Sequence, residues 1–309
     1  MRFFIITVLY NERLTECETW KTFLQQACGN EDCCVIVADN STDGTIRSAN
    51  RKDAEAYSKQ NPDTWEKRVL YLDMHGNAGL PAAYNCAIEA AEKQLADNAL
   101  HLQHASERTA GAALHADGSY GDIWFVITDQ DTTFSEDYLS DIREKAAHTD
   151  ALLLAPIVKS GGIYLSPCRQ NGLRFVPCTE AEIARPDADN LYFINSGLVI
   201  RGSVFFYHGL RYDETLFLDF ADFDLENQIK KQQRQSRAFV MQNVVLLQQF
   251  SGTEKRTAEQ DLKRYRQYVH DGTAFYGKWH PEKSPHSILS GRGLKLACKH
   301  KDIRFLKKS

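Results

Sequence analysis

Short runs of apolar residues, rich in β-branched and aromatic types, recur along the first half of the chain. They lie at Phe3–Leu9, Cys33–Ala38, Val69–Leu72 and Ile123–Ile127. Unbroken apolar runs of this length read as strands buried on both faces, the pattern of a parallel sheet. Between them, Leu14–Ala27 spaces Leu14, Trp20, Phe23 and Leu24 as a helix would. Asp39-Asn40-Ser41-Thr42-Asp43-Gly44-Thr45 forms a turn, in which Thr42 or Asp43 can cap a helix through the polar 45–60 region. Gly76-Asn77-Ala78-Gly79 is a second turn, leading into an Ala-rich helix from about Leu80. Strand and helix alternating in this way predict an α/β fold, whose ligands sit beyond the carboxyl ends of the strands.

The fourth run ends abruptly in Thr128-Asp129-Gln130-Asp131. Alternate residues of an extended chain share a face, so Asp129 and Asp131 point together and Gln130 points away. Paired carboxylates suit a hard divalent cation bridging two phosphates. A solvated acidic turn has the same spacing, so the pair alone does not decide between them.

The remaining sequence narrows the class. A chain of 309 residues is long enough for one large domain with an appendage, and 43% hydrophobic residues provide a packed core. A net charge of −4 gives no general pull toward nucleic acid. Its eight cysteines form no CxxC pair, which points to a reducing, cytoplasmic compartment. No apolar run approaches the length that spans a bilayer, and the opening MRFFIITVLY reads as a first strand and not as a signal peptide. Asp97–Tyr120, rich in Ala, His, Gly and Ser, has no period and is expected to be a surface insertion.

The second half has strand patterns at Ala151–Val158, Leu173–Val176 and Ala238–Leu247, and a turn at Ile194-Asn195-Ser196-Gly197. The segment from Arg211 to Asp224 leads into a helix ending near Gln233. The last part has a helical, tyrosine-rich pattern and ends in a basic tail from Arg292, where Leu294, Leu296, Ile303, Phe305 and Leu306 alternate with Lys and Arg. Such a tail suits an anionic membrane surface, and it equally suits a solvated terminus.

In this order, the opening strand with Tyr-Asn-Glu, DNSTDGT, GNAGLPAAYN, TDQDTTF, INSG and DETLFLDFADFD resemble the family 2 glycosyltransferases. Within them the chain looks most like bacterial rhamnosyltransferases of surface polysaccharide synthesis. The resemblance runs from Met1 to about Gly252. It implies a GT-A fold: a mostly parallel, Rossmann-like sheet flanked by helices, with a donor half (about 1–134) and an acceptor half (about 135–252). A helical, basic extension (253–309) follows. The implied activity is inverting transfer of a sugar from a nucleoside diphosphate sugar, assisted by Mg²⁺ or Mn²⁺. The acceptor would be a hydroxyl of a glycan or a lipid-linked glycan.

The resemblance also distributes roles. Tyr10, Asn11, Glu12, Asp39 and Asn40 would meet base and ribose, though turn chemistry explains them as readily. Asn77 and Gly79 would let the backbone and the next helix approach phosphate. Asp131 would ligate the metal, with Asp129 and Gln130 beside the donor. Asn195 and Ser196 would line the floor toward the acceptor. A carboxylate must take the acceptor proton, and it would be Asp222, or Asp219 if the helix begins elsewhere. Many relatives complete the metal shell with a His after that helix, where this chain has Gln248-Gln249. That departure leaves room for an inactive nucleotide-sugar-binding or scaffold subunit. A nucleotidyltransferase is the other alternative, but the Tyr10-Asn11-Glu12 loop lacks the basic residue it would need.

Overall fold

β-Branched and aromatic side chains crowd a helical turn but pack well on a pleated surface, and the apolar runs form strands accordingly. The computed structural model describes residues 1–59, 69–105, 123–184, 188–232, 238–248 and 256–306. Its first strands are β1 (Arg2–Leu9), β2 (Cys33–Asp39), β3 (Val69–Asp73), β4 (Ile123–Asp129) and β5 (Thr132–Thr133). The second half adds β6 (Leu153–Ser160), β7 (Ile163–Ser166), β8 (Cys168–Asn171), β9 (Arg174–Pro177), β10 (Leu191–Tyr192), β11 (Leu198–Arg201) and β12 (Ala238–Gln248). The helices are α1 (Gln25–Cys28), α2 (Gly44–Lys59), α3 (Leu80–Ala105), α4 (Tyr138–Ala147), α5 (Glu180–Ala184), α6 (Ser203–Phe206), α7 (Ala221–Gln232), α8 (Ala258–Trp279) and α9 (His286–His300).

The main sheet runs β3-β2-β1-β4-β11-β6-β12-β5, and a small second sheet runs β10-β8-β9. The β3-β2-β1-β4 half is parallel throughout. Beyond it the sheet is mixed, because β11 lies antiparallel between β4 and β6. Alternating β1 residues serve two cores. Phe4, Ile6 and Val8 pack with Ala83, Tyr84, Ala87 and Ile88 of α3 on one face. Phe3, Ile5 and Leu9 pack with Trp20, Phe23 and Leu24 on the other. Each large side chain buried this way contributes about 1.5–3 kcal/mol.

Two expectations need correction. Leu14–Ala27 is not one helix: it divides into a 3₁₀ turn (Leu14–Glu16), a π-turn (Trp20–Leu24) and α1. Tertiary bonds set this path, since Asn50 Oδ1 accepts the Leu14 N–H at 2.8 Å and the Thr19 hydroxyl donates to the carbonyls of Asp129 and Thr132. The proposed insertion at 97–120 begins inside α3, which continues through Ala105; residues 106–122 lie outside those described.

The C-terminal helices are not an appendage. Phe275, Tyr276 and Leu289 form a cluster with Leu216, flanked by Phe175, Phe220 and Phe223. Phe305, expected to be part of an exposed amphipathic tail, is 1% exposed and packs with Leu262, Tyr265 and Ala297. The two helices meet closely at Gly293, where an added Cβ would fall on the Tyr265 hydroxyl and 2.6 Å from the Phe305 carbonyl.

Candidate active site

Strand β4 delivers Asp129 at its carboxyl end, and Asp131 follows in the turn to β5. Ser196 Oγ donates to Asp129 Oδ2 at 2.5 Å. Gln248, the last residue of β12, sends Nε2 to Asp129 Oδ2 at 3.2 Å and to Asp131 Oδ1 at 3.4 Å. Burial raises both carboxyl pKa values, and the neighbouring Asp129 charge helps to bring Asp131 up to about 6. Two half-buried carboxylates that resist ionising together are a donor set that a divalent cation would relieve. Among the described residues no third His, Cys, Asp or Glu joins them. Asp129 and Asp131 therefore fit the cation at two ligands, with Gln248 the adjacent side chain; Gln249 lies outside the described residues.

The Asn195-Ser196 turn lies just ahead of β11 and carries Ser196 to Asp129. Asn195 Oδ1 accepts from the Tyr212 hydroxyl at 3.2 Å, and the Tyr212 ring lies 4.8 Å from that of Tyr84. Tyr84 is fully buried, and its hydroxyl makes no well-formed hydrogen bond. Neither tyrosine stood out in the sequence, because each looked like an ordinary apolar position.

On the donor side the expected residues divide. Tyr10 is 47% exposed, and Gln130 braces its backbone by accepting the Tyr10 N–H at 2.7 Å. Glu12 is half-buried, and burial raises its carboxyl pKa. Asn11, with a left-handed φ of 52°, accepts the Thr42 N–H with its side-chain Oδ1 at 2.9 Å. Asp39 is turned inward. It is 0% exposed and accepts from Ser41 N–H, Asn50 Nδ2 and the Tyr71 hydroxyl at 2.8–2.9 Å. Its carboxylate fastens β2 to α2 and β3, so in this conformation it offers nothing to a base or ribose. Asn40 likewise holds the next loop, donating to the Gly79 carbonyl at 3.0 Å and accepting the Ala78 N–H at 3.2 Å. Asn77, exposed, accepts the Gly79 N–H at 3.1 Å. Gly79 has φ +91°, and a Cβ there would meet the Phe217 carbonyl oxygen at 2.8 Å. The Leu80 N–H bonds that same oxygen at 2.8 Å, which joins the donor-side loop to the Asp219 segment.

The second acidic pole is made by residues 217–222, and α8 shapes it. Asp271, 0% exposed, accepts the N–H groups of Phe217, Leu218 and Asp219 at 2.9–3.1 Å. Arg264 Nη2 holds Asp219 Oδ1 at 2.7 Å, with Nη1 on the other oxygen. Phe220 takes a left-handed φ of 66° and stacks on Phe275 with ring centres 5.1 Å apart. A non-glycine residue in that region costs energy, and here packing holds it there. Asp222 then falls at the second residue of α7, one step inside the helix rather than ahead of it. Its Oδ1 accepts the Phe223 N–H at 2.9 Å. Burial brings its pKa up to about 7 despite that bond, helped by the charges of Asp129 and Asp219. Asp224 and Glu226 are structural: Asp224 accepts from Trp279 Nε1 at 2.6 Å, and Glu226 from the Phe193 N–H at 2.6 Å.

The fold and the two carboxylate poles define an α/β domain of the GT-A type. Residues 4–96, less than half of the chain, match the family model described as Glycosyl transferase family 2. The mannosyltransferase PcManGT from Pyrobaculum calidifontis, solved with GDP-Man and Mn²⁺, aligns with a TM-score of 0.50. The two share 15% identity, over 96% of this chain and 69% of that one. GalNAc-T7, solved with UDP, GalNAc and Mn²⁺, aligns at 0.50 with 12% identity over 97% of this chain and 54% of that one. S. aureus TarS aligns at 0.46 with 13% identity over 87% of this chain. The chain spans 65% of the TarS length. These likenesses concern the fold. A comparison with curated proteins returns no match.

Proposed function

We propose that this protein transfers a sugar from a nucleoside diphosphate sugar to an acceptor hydroxyl, with inversion, Asp222 acting as general base. One observation supports this above the others. Of the two candidate acids, Asp219 is gripped by Arg264, whereas among the described residues Asp222 meets no cation and its pKa is pushed up to about 7. A base poised near neutral pH both holds and accepts a proton efficiently. Asp129 and Asp131 would hold Mg²⁺ or Mn²⁺ at the opposite pole, and the cation would neutralise the departing diphosphate. Tyr10 offers an exposed ring for stacking on the base, and Asn195 and Ser196 keep the floor rigid beneath the sugar. With the nucleophile's proton leaving toward Asp222 on one side and diphosphate departing on the other, a single displacement inverts the anomeric centre.

The sugar of the resemblance is rhamnose, and the acceptor a glycan or lipid-linked glycan of polysaccharide assembly. A cytoplasmic, peripheral location fits the outer surface of α9 and its C-terminal turn. There Leu294, Ile303 and Leu306 are 55–71% exposed, beside Lys295 and Lys301. Among the described residues no helix is long and apolar enough to cross a membrane. Gln248 favours a second reading, a binding subunit without turnover, since its amide satisfies carboxylates that a metal would otherwise claim. Assaying nucleoside diphosphate release with a panel of nucleotide sugars, with and without Mn²⁺, decides between the two. Release that disappears in Asp222→Asn supports transfer, and no release from any donor overturns it.

A further inference from the structure

Arg292 lies on α9, half-buried, with its guanidinium carbon 4.5 Å from the centre of the Tyr268 ring. Among the described residues it makes no ion pair and no hydrogen bond. Its charged neighbours are Arg264 and, at longer range, Asp219 and Asp261. Each of those is already engaged. Arg264 grips Asp219, while Lys299 Nζ at 2.8 Å and His300 Nε2 at 2.6 Å hold Asp261. Burial and the Arg264 charge push the Arg292 pKa below the usual guanidinium range. A desolvated cation facing a second cation is costly unless an anion completes it. The next residue, Gly293, is a close approach of α9 to α8, where a Cβ would fall on the Tyr265 hydroxyl.

The position matters as much as the charge. Arg264 grips Asp219, three residues before Asp222, and Arg292 lies within electrostatic reach of both Arg264 and Asp219. A guanidinium has a planar fork of donors that matches phosphate oxygens, and one seated on an aromatic face keeps that fork oriented. The outer side of the same helix is apolar and basic, with Leu294 and Lys295 exposed. One helix thus faces the acceptor pole with Arg292 and faces outward with a surface suited to lipid headgroups.

We propose that Arg292, backed by Arg264, is a binding site for an anionic phosphoryl group carried by the acceptor. Naming the acceptor as its carrier rests on the glycosyl-transfer reading; the anion site itself does not. The phosphoryl group could belong to a lipid-linked acceptor or to a soluble phosphorylated one, and the chemistry of recognition is the same.

The test is equilibrium binding of inorganic phosphate to the full chain at low salt without divalent cation, so that the Asp129–Asp131 pole has nothing with which to attract it. Wild type binds, and Arg292→Gln binds about tenfold to a hundredfold more weakly, the scale for losing a charge-assisted hydrogen bond. Arg292→Lys keeps the charge but not the fork and falls between them. It also covers the case in which the Gln variant melts early. Flotation with phosphatidylcholine vesicles, with and without phosphatidic acid, separates the sources. Capture by phosphatidic acid vesicles that inorganic phosphate reverses supports the lipid source, and phosphate binding without capture supports the soluble one. Absence of phosphate binding to wild type, or equal binding in wild type and Arg292→Gln, overturns the proposal. Phosphate binding that behaves as expected in a protein that turns over no nucleotide sugar would retain the anion site and discard the transferase reading.

Discussion

Arg264 holds Asp219 by both carboxylate oxygens, with Nη2 2.7 Å from Oδ1, so Asp219 would have to part from its guanidinium before it could meet an acceptor hydroxyl. Asp222→Asn should lower turnover by about 10²–10⁴-fold while donor affinity stays as it was. Asp219→Asn should chiefly lower the melting temperature, because it leaves Arg264 without its partner. The measurement is turnover, donor affinity and melting for both variants side by side. An active Asp222→Asn with an inactive, stable Asp219→Asn would reverse the assignment.

The pH dependence follows from Asp222. Its folded pKa of about 7 lies above the 3.8 of a free aspartate, so the folded state binds this proton more tightly than the unfolded state does. Its contribution to stability is therefore fully present below about 3.8 and declines as pH rises toward about 7. Activity moves the other way, since only the ionised form accepts a proton. In the free enzyme kcat/KM should rise through about pH 7 and then level off, and the melting temperature of Asp222→Asn relative to wild type should improve between pH 5 and pH 8. A flat kcat/KM profile across that range would remove Asp222 from the base role.

Asp131→Asn keeps the size of the side chain and removes a charge from the metal-facing pair. Cation-enhanced donor binding should be lost with the fold intact. Gln248→His places an imidazole where an amide now contacts both carboxylates, and Mn²⁺ should then enhance donor binding at about tenfold lower concentration. Titrating Mn²⁺ against donor binding in the three proteins checks both. Identical titrations would mean that Gln248 lies outside the metal's reach.

Asp271 is buried against the 217–219 segment. Burial opposes its ionisation, but bonds from His270, the loop N–H groups and Gln267 outweigh it and lower its pKa. Its stabilisation is present above the ordinary aspartate value and is lost as pH falls below it. Asp271→Asn should cost about 1–3 kcal/mol, since one amide oxygen replaces two acceptors for buried donors. Turnover should fall too, through looser placement of Asp222. Denaturant unfolding and kinetics measured together check this, and an unchanged midpoint would show that the loop holds itself.

For the outer surface of the C-terminal region, Leu294→Ser, Ile303→Ser and Leu306→Ser combined should weaken flotation with anionic vesicles, with the helices unaltered by circular dichroism. Equal flotation would make this surface an ordinary solvated one. Deleting the tail would not be a clean test, because Phe305 is part of the core of these helices.

The strands of the donor half were legible because their side chains are buried on both faces, which leaves an unbroken apolar run in the sequence. The same rule hid β5 and β10, two residues each, which exist only through their partners. Asp129 and Asp131 were visible as a pair at period two. The inward partners of Asp39 were not legible for a physical reason: an Asp at a strand end looks the same whether its oxygens face a ligand or Asn50 and Tyr71. The roles of Arg264, Asp271 and Arg292 could not be read at all. The first two depend on α8 folding back onto a segment 45 to 54 residues earlier and the third on α9 packing against α8, and no local pattern encodes that return.

That return has a temporal meaning. A polypeptide emerges from the ribosome in order, and strands β1 to β4 can pair as soon as they are made. The segment holding Asp222 cannot take its final path then, since Phe220 needs Phe275 and the 217–219 amides need Asp271. Donor-side structure would therefore precede acceptor-side structure during synthesis, and a chain paused before α8 would lack an organised base. Helix α8 thus ties the ordering of the segment before Asp222 to the synthesis of the chain as far as Phe275.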